Sequence, residues 1–177
     1  MPTPFEHRTV LRDAVVEHLV HANGGVWLDG TLGGGGHSQA LLEATSPTGA
    51  VFGIDRDPTA IAAATALLKP WGARFTAVRG TFAEMSTLVG EHRPFDGIVL
   101  DLGVSSPQLD HAQRGFSFQQ DGPVDCRMDP STGPTAAELI DSLDETALAN
   151  VIYRYGDEPR SRRIARALKA GAPWTST

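Results

Sequence analysis

Short apolar runs alternate with helical patterns along the first hundred residues of the chain. Four runs predict β-strands: Val26–Asp29, Ala50–Asp55, Phe75–Val78 and Gly97–Asp101. The segments around them predict helices: 10–20, 38–44, 58–69 and a short one that ends at Gly90. Strands that alternate with helices in this order favour an α/β fold, a doubly wound parallel sheet of about four strands.

The fourth run is continuously apolar, which predicts a strand buried on both faces beside the first strand. Its outer edge, at Ile98, Val99 and Leu100, is expected to be unpaired.

The alternation of strands and helices then stops at a polar loop over 102–134, and a loop this long is uncommon unless it is functional. Three predicted helices follow: 135–143, 144–155 and 159–170. We expect a sheet domain over 1–110, a substrate or active-site loop over 111–134 and an all-α insertion over 135–177.

The turn after the first strand is the most informative part of the sequence. Four glycines, Gly33 to Gly36, stand between Asp29 and a helix start, where a parallel sheet forms a ligand crevice. The dinucleotide fingerprint fails because its third glycine would fall on Ser38 or Gln39. An acid followed by small residues at every second position is instead typical of the nucleoside-binding loop of S-adenosylmethionine (SAM) methyltransferases.

Three carboxylates close predicted strands: Asp29, Asp55 and Asp101. Their charge suits the cationic sulfonium of SAM. Asp55 lies 20 residues after Gly35, a spacing that favours a role in holding ribose hydroxyls. Asp57, which precedes Pro58, is expected only to cap the next helix.

Composition excludes several classes of protein. With 177 residues, 41% hydrophobic and 20% charged, the chain predicts one soluble domain with an appendage. No apolar run approaches the roughly 18 residues of a membrane span, and Met1–Pro4 lacks signal-peptide character. The single cysteine, Cys126, is typical of a reducing cytoplasm. The scattered histidines predict no metal site.

The net charge of −6 conceals an asymmetry between the two ends of the chain. Residues 151–177 hold six basic and two acidic residues, a balance of +4, which leaves −10 for the first 150 residues. Arg162, Arg166 and Lys169 form a stripe at i, i+4 and i+7 of the last predicted helix. The stripe indicates either a localised anionic partner or an ordinary solvated helix face.

The long loop leaves the fourth strand and is expected to overhang the glycine crevice. An exocyclic amine on a nucleobase is a poor nucleophile, because its lone pair is spread into the ring. Acceptors that hold both N–H groups would favour a pyramidal nitrogen aimed at a methyl donor. Ser105-Ser106-Pro107-Gln108 is a degenerate version of such a motif, with Ser105 and Ser106 as the candidate acceptors.

Five strings together resemble the MraW/RsmH family over essentially the whole chain: Asp29–Ser38, Gly53–Pro58, Asp101–Asp110, Arg114–Phe118 and Asp125–Asp129. That family comprises SAM-dependent methyltransferases acting on N4 of a cytidine in 16S ribosomal RNA of the bacterial small subunit. The resemblance implies a Rossmann-like class I methyltransferase fold. Cys126 and Asp157 depart from the family pattern, which usually has methionine and glutamate there.

The resemblance also implies roles for individual residues. Gly35, Gly36 and His37 would line the methionine part of SAM beside Gly33 and Gly34. The other implied cofactor contacts are Asp55 for the ribose, Phe82 for the adenine, and Asp101 with Gln108 closing the site. Asp101 or water would take the proton lost by the flipped or unpaired base. The implied contacts to RNA phosphates are Arg114, Arg160, Arg162, Arg163, Arg166 and Lys169.

Family members continue well past residue 177, so the chain is expected to carry an incomplete sheet. Two further hypotheses stay open from the sequence. One is a truncated, inactive relic that retains nucleoside binding, and the other is an NAD-dependent oxidoreductase, which the missing third glycine disfavours.

Overall fold

The four apolar runs pair into a single parallel sheet. The computed structural model describes residues 9–90 and 94–176. Its strands are β1 Val26–Asp29, β2 Ala50–Asp55, β3 Phe75–Arg79 and β4 Gly97–Val99. Their order across the sheet is β3-β2-β1-β4, which confirms the α/β prediction and the position of the fourth strand beside the first.

The register brings the carboxyl ends of the strands to one edge of the sheet. Asp29 lies opposite Gly53 of β2 and Val99 of β4, and Asp55 lies opposite Arg79 of β3. Turns that leave these ends therefore lie side by side, which is where an open α/β sheet forms its ligand crevice.

Helices cover both faces of this sheet: α1 Arg12–Leu19, α2 Gly36–Ala44, α3 Pro58–Leu68 and α4 Met85–Leu88. Alternate strand residues point to opposite faces, so Trp27 and Val51 enter one core cluster while Leu28 and Phe52 enter another. The first cluster includes Leu41, Leu42 and Leu68 from α2 and α3, and the second includes Val89, which follows α4.

Two helix boundaries differ from the predicted ones for local reasons. The first turn of α2 includes Gly36 and His37, because Gly35 takes the left-handed conformation (φ 88°) at the N-cap. α3 ends at Leu68 and continues as the 3₁₀ segment Lys69–Arg74. The predicted cap is confirmed, since Asp57 accepts a hydrogen bond of 2.9 Å from the Thr59 N–H.

The expectation that the fourth strand is buried on both faces is wrong. Val99 is 6% exposed, whereas Ile98 and Leu100 are 47% and 41% exposed. Within the described residues β4 pairs with β1 alone, so its outer edge is unpaired as predicted. A continuously apolar run indicates a strand of a parallel sheet with both faces covered, but among the described residues the face of β4 that carries Ile98 is left exposed.

By contacts between residues the chain divides into two compact units, Met1–Ser105 and Ser106–Thr177. The predicted three-part division at 110 and 134 stays a prediction. The second unit begins with α5 Ser106–Asp110 and a 3₁₀ turn at Ala112–Arg114, so the region predicted as a long loop contains short helical elements.

The rest of that loop is tied together by hydrogen bonds. The Arg114 guanidinium donates to the carbonyls of Arg127 (3.1 Å) and Met128 (2.8 Å). The Cys126 thiol donates to the Gly115 carbonyl at 2.9 Å. Arg127 donates through Nε and Nη2 to the two carboxylate oxygens of Asp125, which lowers the pKa of that carboxyl.

Three helices complete the second unit: α6 Ala136–Ser142, α7 Glu145–Gly156 and α8 Ser161–Gly171. Their small core contains Leu148, Ala149 and Ala165. The left-handed residue that closes α7 is Asp157 (φ 49°), so α7 includes Gly156 and ends one residue later than predicted. α8 begins at Ser161, two residues later than predicted.

The basic stripe of α8 fastens this helix to its neighbours. The Lys169 ammonium donates to the carbonyls of Ile140 (2.9 Å) and Asp141 (3.1 Å) near the end of α6. Arg166 pairs with Glu145 of α7 at 3.3 Å. A cation at these carbonyls satisfies acceptors that the end of a helix leaves free.

We expect Lys169→Met to lower the free energy of unfolding by about 1–2 kcal/mol, because it leaves two carbonyl acceptors of α6 without their donor. Arg163→Met, on the exposed surface of the same helix, should cost less than about 0.5 kcal/mol. Urea unfolding followed by circular dichroism measures both. Equal losses would show that the Lys169 bonds contribute nothing to stability.

Candidate functional site

The turn after β1 is held by the backbone of both neighbouring strands. Gly30 N–H donates to Val99 O at 2.9 Å, and Leu32 N–H donates to Ile54 O at 3.0 Å. A side chain at Gly35 would lie too close to Ala64 and Leu68 of α3, so the backbone of the turn packs directly against that helix. The glycine at this position is required by both its positive φ and its close packing.

Asp29 holds the turn from inside the protein. Its side chain is fully buried, and it accepts hydrogen bonds from Ser38 Oγ (2.8 Å) and Thr31 N–H (3.2 Å). Burial raises the pKa of this carboxyl, and the Ser38 hydrogen bond opposes that rise. Asp29 therefore has no exposed surface for direct contact with a ligand, and the hypothesis that its charge favours a cationic ligand stays a prediction.

Asp55 holds the same turn from the other side and is only half-buried. Its Oδ2 accepts from Gly33 N–H at 2.8 Å, and its Oδ1 accepts from Asp57 N–H at 2.9 Å. A carboxylate offers about four acceptor positions, so each oxygen keeps one for a further donor. Asp55 is thus both an anchor of the glycine turn and an available acceptor.

Asp101 and Phe82 border this end of the sheet. The Asp101 N–H donates to Thr31 Oγ1 at 2.7 Å, while its side chain is exposed. Phe82 follows β3 and is 42% exposed. The Phe82 Cβ lies 3.3 Å from the position that a Cβ on Gly30 would occupy. The side chain of Phe82 therefore begins next to the start of the glycine turn.

The segment before α1 packs onto the glycine turn, a contact that the sequence pattern did not indicate. His37 is 6% exposed, and its Nε2 lies 2.9 Å from the Val10 carbonyl, which can only accept. Nε2 therefore carries the ring proton. A side chain at Gly36 would collide with Thr9 Oγ1. A cleft of about 880 Å³ opens here, bordered by Thr9–Ala14, Gly34, Gly36, Gln39 and Leu67.

The predicted site residues divide between the two units. The first unit brings Gly33 into contact with Asp55 and places Asp101 against Thr31. It also contains Ser105, which is half-buried. Ser106, exposed, and Gln108, 7% exposed, lie in α5 of the second unit. The second unit also contains all the predicted RNA contacts: Arg114, Arg160, Arg162, Arg163, Arg166 and Lys169.

Sequence reasoning missed two groups that shape the site, Thr31 and Ser38. Both are small hydroxyl residues near the glycine turn, and both bind a strand-end aspartate: Ser38 the Asp29 carboxylate and Thr31 the Asp101 backbone.

Among residues 9–90 and 94–176, no three histidine, cysteine or carboxylate side chains are grouped as metal ligands would be. No helix in the same residues is long and apolar enough to cross a membrane.

Comparison with known protein families identifies the chain. The model of the MraW methylase family matches residues 4–174. The chain belongs to the MraW methylase family. The strings Asp29–Ser38 and Asp101–Asp110, on which the resemblance was based, lie within the matched region.

Relatives of this methylase-family chain are similar over nearly all of its residues. It is 54% identical over 169 residues to the ribosomal RNA small subunit methyltransferase H of Myxococcus xanthus, covering 96% of this chain and 54% of that protein. It is 49% identical over 179 residues to the protein of the same name from Magnetococcus marinus, covering 98% and 57%. The chain thus spans about half the length of these relatives.

One solved structure with partial similarity is that of a putative rRNA-methylase from Clostridium thermocellum. The identity is 25%, the TM-score is 0.43, and the match covers 49% of this chain and 48% of that one.

Asp29→Asn should change how stability depends on pH. Asparagine keeps an acceptor for Thr31 N–H, and its amide can donate to Ser38 Oγ. Because the folded-state pKa of Asp29 is raised, the folded protein binds more protons than the unfolded chain between the two pKa values. The wild type therefore loses stability as pH rises through that window, and the variant does not.

Urea unfolding of both proteins from about pH 4 to about pH 7 tests this. We expect the stability difference to move in favour of the variant as the pH rises. A difference that stays constant across the range would contradict the raised pKa of Asp29.

Proposed function

We propose that this chain binds SAM and methylates the exocyclic N4 of a cytidine in 16S ribosomal RNA of the small subunit. Membership of the MraW methylase family and relatives named ribosomal RNA small subunit methyltransferase H support the proposal. The observation that carries it is the bond between Asp55 Oδ2 and Gly33 N–H, which joins a half-exposed strand-end carboxylate to a glycine turn.

The chemistry of these groups suits the nucleoside half of SAM. Asp55 retains one acceptor position on each oxygen, which matches the two hydroxyls of a ribose. Phe82 offers an exposed aromatic face for a purine. Asp101 has an exposed carboxylate at the end of the neighbouring strand, where negative charge favours a cationic ligand.

The methionine half would be held by the beginning of α2. Gly36 is half-buried in the first turn of α2, and the first turn of a helix carries partial positive charge that attracts a carboxylate. His37 keeps its ring bound to Val10, so its contribution to a ligand would come from the backbone or from Nδ1. Gly33 and Gly34 would form the floor of the same turn.

When bound, SAM supplies a methyl group attached to a positively charged sulfur. The sulfur is the leaving group and keeps the electron pair of the broken C–S bond. The remaining requirements fall on the protein. Ser105 and Ser106 would accept hydrogen bonds from the cytosine amine and so direct its lone pair toward the methyl carbon. Asp101 would accept the proton that N4 loses once the new bond forms.

Asp55→Ala should weaken SAM binding by about 2–4 kcal/mol, because it removes the acceptors for the ribose and releases Gly33. Asp57→Ala is the matched control, since it removes the cap of α3, which contributes about 1 kcal/mol to stability, and leaves both oxygens of Asp55 in place. Calorimetric titration with SAM measures both. Equal losses of SAM affinity would show that the ribose carboxylate has been assigned wrongly.

The function itself is tested with labelled SAM and small ribosomal subunits, followed by mass spectrometry of the RNA nucleosides. We expect N4-methylated cytidine. Replacing both Ser105 and Ser106 with alanine should reduce turnover at least tenfold, about 1.4 kcal/mol in the barrier, with SAM affinity changed by no more than a few fold. Methyl transfer to another nucleoside, or to no RNA, would overturn the proposal.

A further inference from the structure

The basic residues of the second unit fall into two groups according to their partners. Ser106–Thr177 contains eight arginine and lysine residues. Four of them have hydrogen-bond or ion-pair partners within the unit: Arg114, Arg127, Arg166 and Lys169. These four cations are used to hold loops and helices together.

The other four cations are close together in sequence and have no internal partner among the described residues. Arg154, Arg160, Arg162 and Arg163 are all exposed, and in the described part of the chain none of their side chains makes a hydrogen bond or an ion pair. They fall within ten residues, at the end of α7 and the beginning of α8. Cations without internal partners are the ones that can release counterions to a polyanion.

Both tyrosines of the protein lie in the same stretch. Tyr153 is 58% exposed and Tyr155 is 85% exposed. We define the turn surface as the exposed side chains of Tyr153, Arg154, Tyr155, Arg160, Arg162 and Arg163. Exposed aromatic rings among free guanidinium groups are the combination that single-stranded nucleic acids require, because bases stack on the rings while phosphates meet the cations.

Charge complementarity favours this surface over the rest of the chain. Residues 151–177 carry a balance of +4, whereas the other 150 residues carry −10. A polyanion is repelled by most of the protein and attracted to this segment.

We propose that the turn surface binds an unpaired strand of the RNA substrate, with Arg162 and Arg163 on phosphates and Tyr155 stacked on a base. The inference rests on the proposed function, which makes RNA the substrate. It narrows the RNA contacts implied by the resemblance to the arginines without internal partners, and it adds a stacking role for Tyr155 and the unpaired form of the RNA. A duplex keeps its bases stacked inside the helix, so Tyr155 can stack only on a nucleotide that is unpaired.

The first test measures affinity for a short cytidine–uridine oligoribonucleotide without self-complementarity, at several salt concentrations. For Arg162→Ala/Arg163→Ala we expect weaker binding and a salt slope shallower by about 1.4, at about 0.7 for each lost phosphate contact. Lys69→Ala, which removes an exposed cation from the first unit, is the control and should leave the slope unchanged. Thermal unfolding and SAM titration verify that the double variant is folded.

The second test separates stacking from charge. Tyr155→Ala should lower affinity for the single strand by about fivefold or more, and Tyr155→Phe should restore it, because phenylalanine keeps the aromatic face. Affinity for a duplex RNA of the same length should not change with either substitution.

Other outcomes overturn the proposal. An unchanged salt slope in the double variant, an equal effect of Tyr155→Ala on duplex RNA, or tighter binding of anionic phospholipid vesicles than of RNA would each contradict it. The proposed function fails separately. If the wild type binds RNA in this way but transfers no methyl group to it, the RNA-binding role of the turn surface is supported and the proposed methyl transfer is contradicted. If RNA is methylated with the same KM for RNA in the double variant, only the surface is wrong.

Discussion

The buried carboxylate of Asp29 is the interaction on which the first unit's site depends. A charged group without solvent is costly unless hydrogen bonds satisfy it, and here the bonds come from Ser38 Oγ and Thr31 N–H. Those two donors lie at opposite ends of the glycine turn. Satisfying one buried charge therefore fixes the path of the turn, and with it the position of the first residues of α2.

Asp55 adds a second constraint from outside the turn. Because its Oδ2 binds Gly33 N–H, the turn is held between a buried carboxylate and a half-exposed one. Asp29 and Asp55, which both end strands, therefore have different roles. The fully buried group shapes the backbone, while the half-exposed group keeps acceptor capacity for a ligand. A glycine turn held from both sides is preorganised, which lowers the entropy cost of ordering it when a ligand binds.

Local patterns predicted most of the first unit, because its strands and caps depend on neighbouring residues. The parallel sheet follows from four apolar runs, and the Asp57 cap of α3 follows from its position before Pro58. The burial of Asp29 and the docking of Val10 on His37 were not predictable in this way. The burial of Asp29 depends on how deeply the end of β1 lies in the protein, and the contact of Val10 with His37 joins segments that are distant in sequence. Neither feature produces a periodic pattern in the sequence.

The basic helix shows why a charge pattern cannot by itself identify a binding surface. The stripe of Arg162, Arg166 and Lys169 is regular because one side of a helix faces its neighbours, and two of its members are used there. A phosphate that approaches a cation already paired with a carboxylate or with helix carbonyls has to compete with that partner. Exposure without a partner is therefore a better criterion than spacing. It selects four arginines, of which only Arg162 belongs to the stripe, and they lie in the same stretch of sequence as the two exposed tyrosines.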